Sequence, residues 1–313
     1  MTRKRFLLLL LIVVVLGALV YLQIRAWRHF DWDKFVEGAE GLNLWKVLGG
    51  VAFIYAADFL RAIRWKIFLR PTRPHASWLG LVPPQYVGFT GLALLGRPGE
   101  FVRPYLIARH ENVSVASQIA IWLVERIFDM GAVVLLFTVD IFYPNSLRDL
   151  DRYEAWRKLG YFVTPGFLLF VLVVWALWAR GPAIATWVCR RLQRVSESLA
   201  TNLEKKIKAL SAGLHTIHNF WSFLQISGLS LLIWCLVALA YRQVTHAYPA
   251  DTGLPDLDLP QVTLLMFASV GGGVIQLPLV GGGSQLATIA VLSQTFDYAD
   301  APELAVSCGM LLW

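Results

Sequence analysis

The sequence predicts an all-α, polytopic helical membrane bundle, with about six full spans plus two re-entrant broken helices arranged as an inverted repeat. Three observations carry that expectation. Hydrophobic residues make up 57% of the 313 and charged residues 16%, with a mean hydropathy of +0.57, whereas soluble domains are about a quarter charged. The apolar residues gather in blocks of roughly 20, the length a helix needs to cross a hydrocarbon core of about 30 Å. Two further apolar blocks are interrupted by glycine and proline, the pattern of helices broken at membrane depth.

The first block, residues 6–24, follows Arg3, Lys4 and Arg5. Its run exceeds the about 7–15 apolar residues of a signal peptide, and no small-x-small cleavage site follows, so it reads as a retained span with a cytoplasmic N-terminus. Residues 44–63, 117–139, 161–178 and 221–240 supply further spans, and 301–313 has the length of half a span. Residues 78–99 and 259–294 are the interrupted blocks. Between them, Val188, Leu192, Val195, Leu199, Leu203, Ile207, Leu210 and Leu214 fall at steps of three or four. That is the period of an amphipathic helix, here one lying on the cytoplasmic membrane surface. The chain thus reads as a single transmembrane domain over 1–313. Its first half is 5–140, an outer loop and span follow at 141–181, the amphipathic helix is 182–216, and the second half is 217–313.

Basic residues orient the bundle. If residues 78–99 dip into the membrane and return, the cytoplasmic segments hold 18 of the 28 lysines and arginines. The opposite side then receives Asp31, Asp33, Glu37, Asp149, Asp151, Asp251, Asp256 and Asp258. Read as an ordinary span, the same stretch would turn the most basic later loop outward, so charge favours re-entry. The net charge of +7 accordingly reflects topology and anionic lipid, and no nucleic-acid partner is expected. Arg61, Arg64, Arg70 and Arg73 read as topology signals or headgroup contacts, and Arg242 as a snorkelling base near the outer surface.

Residues 83–104, PPQYVGFTGLALLGRPGEFVRP, hold four prolines and four glycines; residues 271–286, GGGVIQLPLVGGGSQL, hold six glycines, one proline and two glutamines. Such stretches either let helices pack closely through small residues or form re-entrant hairpins beside a polar cavity. The second is no phosphate loop, since no Gly-Lys-Ser/Thr follows, and neither matches a dinucleotide fingerprint. Cys189, Cys235 and Cys308 are scattered, with no metal or disulfide spacing. His215 and His218 lack an acidic partner nearby. No cofactor and no metal are expected.

Charged residues recur inside the apolar blocks. Asp58, Arg61 and Arg64 lie at steps of three, as do Arg97, Glu100 and Arg103; Glu125 and Asp129, flanking Arg126, share one helix face. An unpaired ion at the bilayer centre costs about 2.5–3.5 kcal/mol on insertion scales, so these groups pair with each other or line a cavity. In the second case arginines grip a phosphate by paired donors, while Glu100, Glu125 and Asp129 position them or hold a cation.

Residues 96–110, GRPGEFVRPYLIARH, and 114–130, SVASQIAIWLVERIFDM, resemble the Gly-Glu-x-x-Arg and Glu-Arg-x-x-Asp signatures of flippase-like membrane proteins. That family shares the transmembrane region of lysylphosphatidylglycerol synthases. LPLVGGGSQLATIAVL, residues 277–292, resembles its second signature, with Gln285 where a glutamate is usual. The resemblance implies a multi-pass inner-membrane protein that moves or presents an anionic, aminoacylated or isoprenoid-type lipid. Arg97, Gly99, Glu100, Arg103, Glu125, Arg126, Asp129 and Gln285 are then the candidate substrate-binding residues. The synthases' soluble aminoacyl-transferring domain has no counterpart in these 313 residues.

A lipid flippase or transporter, using no enzyme chemistry, is therefore the leading expectation. The alternatives are a transferase acting on a membrane lipid and a scaffold subunit for lipid-biosynthetic enzymes, docking through the amphipathic helix. No HExxH or Gly-x-Ser-x-Gly motif supports the transferase.

Overall fold

A computed structural model describes residues 41–142, 147, 153–192, 201, 220–274, 276–277, 281–298 and 301–312. The first apolar block, most of the amphipathic stripe, and His215 and His218 lie outside them.

Helix α1, Leu44–Leu69, begins where the Asn43 side chain accepts from the backbone N–H of Trp45 and Lys46, covering two of the donors that a helix start leaves free. It runs six residues beyond the expected end at 63, and that extension carries Arg64 and Trp65 into the protein interior. Helix α2, Trp78–Leu95, contains Pro83 and Pro84 and stops at Gly96, whose φ of 66° suits a residue without Cβ. A 3-10 turn, Arg97–Phe101, leads into α3, Val102–His110. The first interrupted block is thus a helical hairpin, broken at 96–101 and not at its prolines.

Helix α4, Val115–Phe142, and α5, Tyr153–Leu192, follow; α5 bends at Arg180, where φ is −138°. Helix α6, Phe220–Thr245, runs antiparallel to α1 in the most extensive helix contact of the described fold. The register is marked by Lys46 Nζ donating to the His246 carbonyl, by Gly50 against Ala240 and Val244, and by Arg64 donating to Ser230. Helix α7, Leu259–Gly272, starts in a capping box between Asp258 and Gln261. It is followed by a two-residue antiparallel pairing, Gln276↔Gly282 and Leu277↔Gly281, then α8, Gly283–Thr295, and α9, Pro302–Leu311. The second interrupted block is therefore also a hairpin of helices, α7 folding back on α8.

Polarity is inverted relative to a soluble fold. Large apolar side chains on α5, Phe162, Leu168, Leu169, Leu172 and Trp175 among them, face outward, Phe162 being 80% exposed. Arg64 is 0% exposed and Glu125 1%. Charged residues are almost never fully buried in water-soluble proteins unless paired, and an apolar exterior of this extent marks contact with lipid. Helices α5, over Tyr153–Val173, and α6 have the length and hydropathy to cross a bilayer.

Glycine sets the hairpin geometry. A Cβ on Gly99 would lie 1.9 Å from the Gly91 carbonyl oxygen, and one on Gly88 would lie 2.5 Å from Arg103 Cβ. At the other hairpin, a Cβ on Gly272 would lie 2.1 Å from the Gly283 carbonyl oxygen. Gly166 has open space around its Cβ position. Overpacking costs about 1–3 kcal/mol or more, whereas Gly→Ala in an open helix gains up to about 1 kcal/mol. Gly99→Ala should therefore lower the thermal unfolding midpoint in detergent and Gly166→Ala should leave it unchanged or raise it.

Candidate functional site

The charged residues of α1, α3 and α4 converge at one place. Arg64 reaches from α1 to α4 and α6: Nη2 donates to Glu125 Oε1 at 2.6 Å, and Nη1 donates to Asp129 Oδ1 at 2.7 Å and Ser230 Oγ at 2.6 Å. The Trp234 indole donates to the same Asp129 oxygen at 3.2 Å. From α3, Arg103 Nη2 donates to Glu125 Oε2 at 2.5 Å. Arg103 Nη1 also donates to Glu125 Oε1 at 3.3 Å, so Arg103 grips both oxygens of Glu125 and shares Oε1 with Arg64, and the i, i+4 spacing keeps Glu125 and Asp129 on a single face.

Aromatic faces enclose the arginines. The Arg103 guanidinium lies 4.6 Å from the Trp65 ring centre and 5.7 Å from that of Phe89, and Arg61 lies 5.1 Å from Phe89 on α2. Such contacts favour a weakly hydrated guanidinium over an ammonium. The Trp65 indole is itself fixed by donation to Gln118 Oε1 at 2.9 Å. Arg61 pairs with Asp58 at 2.5 Å. Arg126 pairs with Asp129 at 3.1 Å while its side chain stays 36% exposed.

Gly88, Phe89, Leu92, Glu100, Arg103, Trp122 and Arg126 line a hollow of about 20 Å³ beside this network, room for about one water molecule. The site is closed in this conformation. Gln85 lies one turn before Gly88 and Phe89, fully buried, and neither its amide nitrogen nor its oxygen has a partner among the described residues.

Arg103, Glu125, Arg126 and Asp129 thus come together, and Glu100 lines the hollow beside them. Arg97 pairs with Glu100 and also donates to the Gly273 carbonyl, so the turn of the first hairpin touches that of the second. Gly99 serves as a close-packing point. Gln285 sits half-buried at the start of α8, and among the described residues no hydrogen bond joins it to the cluster.

Arg64 corrects the reading of the arginines at the end of α1. Arg70 and Arg73 are exposed, as headgroup contacts should be, but Arg64 is the centre of the network and Arg61 is buried beside it. The three-residue steps from Asp58 to Arg64 were the available signal, because they place all three on one helix face. Nothing in composition marked Gln85, Gln118, Ser230 or Trp234.

The sequence matches the family described as lysylphosphatidylglycerol synthase TM region over residues 6–309. The chain belongs to that family. As a member of the lysylphosphatidylglycerol synthase TM-region family it is a membrane protein, in keeping with its inverted polarity. Neither curated proteins nor solved structures gave a significant match.

Removing one partner of a buried ion pair costs about 3–5 kcal/mol, because the other charge stays buried and uncompensated. Arg64→Met should thus collapse the thermal midpoint. Combining it with Asp129→Asn should recover part of the loss, a coupling that a double-mutant cycle in detergent measures directly.

Proposed function

We propose that the protein binds an anionic lipid headgroup at the arginine network and moves or presents that lipid across the inner membrane. One observation carries the reading. Among the described residues, four guanidiniums, Arg61, Arg64, Arg103 and Arg126, face three carboxylates, Asp58, Glu125 and Asp129, and the Arg97–Glu100 pair leaves that excess unchanged. An unmatched cation among apolar helices calls for an anion, and a phosphate suits the planar donor fork of arginine. Arg126, half-exposed at the mouth of the hollow, is the cation with donors to spare. The Gln85 amide, one turn from Gly88 and Phe89 and without a partner among the described residues, becomes a further donor and acceptor once the hollow widens toward it. An isoprenoid-type phosphate lipid fits the same chemistry.

Because the hollow admits only about a water, loading a headgroup requires α2 and α3 to move off α4, with Arg103–Glu125 as the contact that opens. Pro83 and Pro84 remove two backbone donors from α2, which weakens that helix where it would bend. We further propose that the two hairpins enter the membrane from opposite sides as an inverted repeat, Arg97 and Gly273 marking where their turns meet. The cytoplasmic N-terminus follows from the distribution of basic residues.

A transferase gains little support. Asp-x-Asp spacings occur at Asp31/Asp33, Asp149/Asp151 and Asp256/Asp258; of these only the last is among the described residues, and there Asp258 caps α7.

Reconstituted in liposomes, the protein should move labelled anionic phospholipid between leaflets without changing its mass. Arg126→Gln should cut that rate by tenfold or more while the thermal midpoint stays near that of the parent. Unchanged transport in a folded Arg126→Gln protein would exclude the arginine network as the headgroup site, and a mass change would point to a transferase.

A further inference from the structure

A second hollow lies between α1 and α6. Ile63, Lys66, Ile67 and Arg70 form one face of α1, at steps of three, one and three, and Leu224, Gly228 and Leu232 form a face of α6 at steps of four. Between them runs a groove of about 590 Å³, also lined by Trp78 and Gln225. Its α6 wall extends about 12 Å at 1.5 Å per residue, most of the roughly 15 Å depth of one hydrocarbon leaflet.

The groove is chemically two-ended. Arg70 donates to Gln225 Oε1 at 3.0 Å, and neither Arg70 nor Lys66 has a carboxylate partner among the described residues. The rest of the lining is apolar except for Gly228, whose Cβ position has nothing within 4 Å. A glycine there widens the groove and is not needed for helix packing, in contrast to Gly88, Gly99 and Gly272. Two unpaired cations over an apolar channel complement a phosphate headgroup with an acyl chain below it.

We infer that this groove holds one anionic phospholipid, its phosphate between Lys66 and Arg70 and its chain along Ile63, Leu224, Gly228 and Leu232. This lipid is distinct from the one assigned to the arginine network and does not depend on that assignment.

The full chain, purified in detergent and titrated with phosphatidylglycerol or phosphatidylcholine, tests this by native mass spectrometry. Gly228→Leu places a side chain in the groove at a position where a Cβ meets nothing within 4 Å, so it should bind one phosphatidylglycerol fewer than the parent. Lys66→Gln with Arg70→Gln should weaken that lipid about thirtyfold, the effect of two basic groups beside an anionic lipid, and leave phosphatidylcholine unaffected. Arg126→Gln should retain the groove lipid, which separates this site from the network. An unchanged phosphatidylglycerol count in Gly228→Leu overturns the inference. So does an unchanged preference for phosphatidylglycerol in the double variant, or a crosslink from Gly228→Cys to another part of the chain or a second copy.

Discussion

The bundle depends on what Arg64 does inside it. A guanidinium with no exposed surface is tolerable among apolar helices only if its charge is matched, and the two terminal nitrogens of Arg64 do this by reaching Glu125, Asp129 and Ser230 on two other helices, while its Nε has no partner among the described residues. The crossing of α1 with α4 and α6 is thereby set at one height. Glu125 then gives its second oxygen to Arg103, which ties the α2–α3 hairpin to the same point. A change at either arginine is felt by the other through one carboxylate, the arrangement in which pairwise energies stop being additive.

Away from that point, close approach replaces the hydrophobic effect. Lipid is as apolar as leucine, so helices in a bilayer associate through tight contact, which small residues permit. Gly88, Gly91 and Gly99 bring the first hairpin together and Gly272 the second, each where a Cβ would meet its neighbour at 3.1 Å or less. Both interrupted blocks therefore use glycine for packing while also folding back as hairpins, so the two uses are not exclusive.

Much of this is legible in the sequence. Blocks of about 20 apolar residues are a direct consequence of bilayer thickness, and Glu125, Arg126 and Asp129 stood out because carboxylates are rare within such a run. Arg103 and Glu100 were legible from their helical spacing. Arg64 was harder, since a basic residue near a helix end contributes the same charge count whether it faces headgroups or the interior; only the partner helices decide. The length of α1 is hard to read for the same reason, because charges at 61 and 64 look like an exit from the membrane until their carboxylates are in view. Pro83 and Pro84 suggested a break, yet α2 runs through them and turns at Gly96 instead, where the backbone adopts a positive φ.

The wide separation of Arg64 from its partners along the chain bears on how the protein is made. Glu125 emerges 61 residues after Arg64, and Ser230 only 166 residues after it. At about 5–20 residues per second of synthesis, the arginine waits some 3–12 seconds for its first counter-ion and far longer for the Ser230 hydroxyl. A nascent α1 thus reaches the insertion machinery carrying a cation that nothing yet neutralises, so α1 and α4 must be retained side by side before α6 arrives to complete the enclosure.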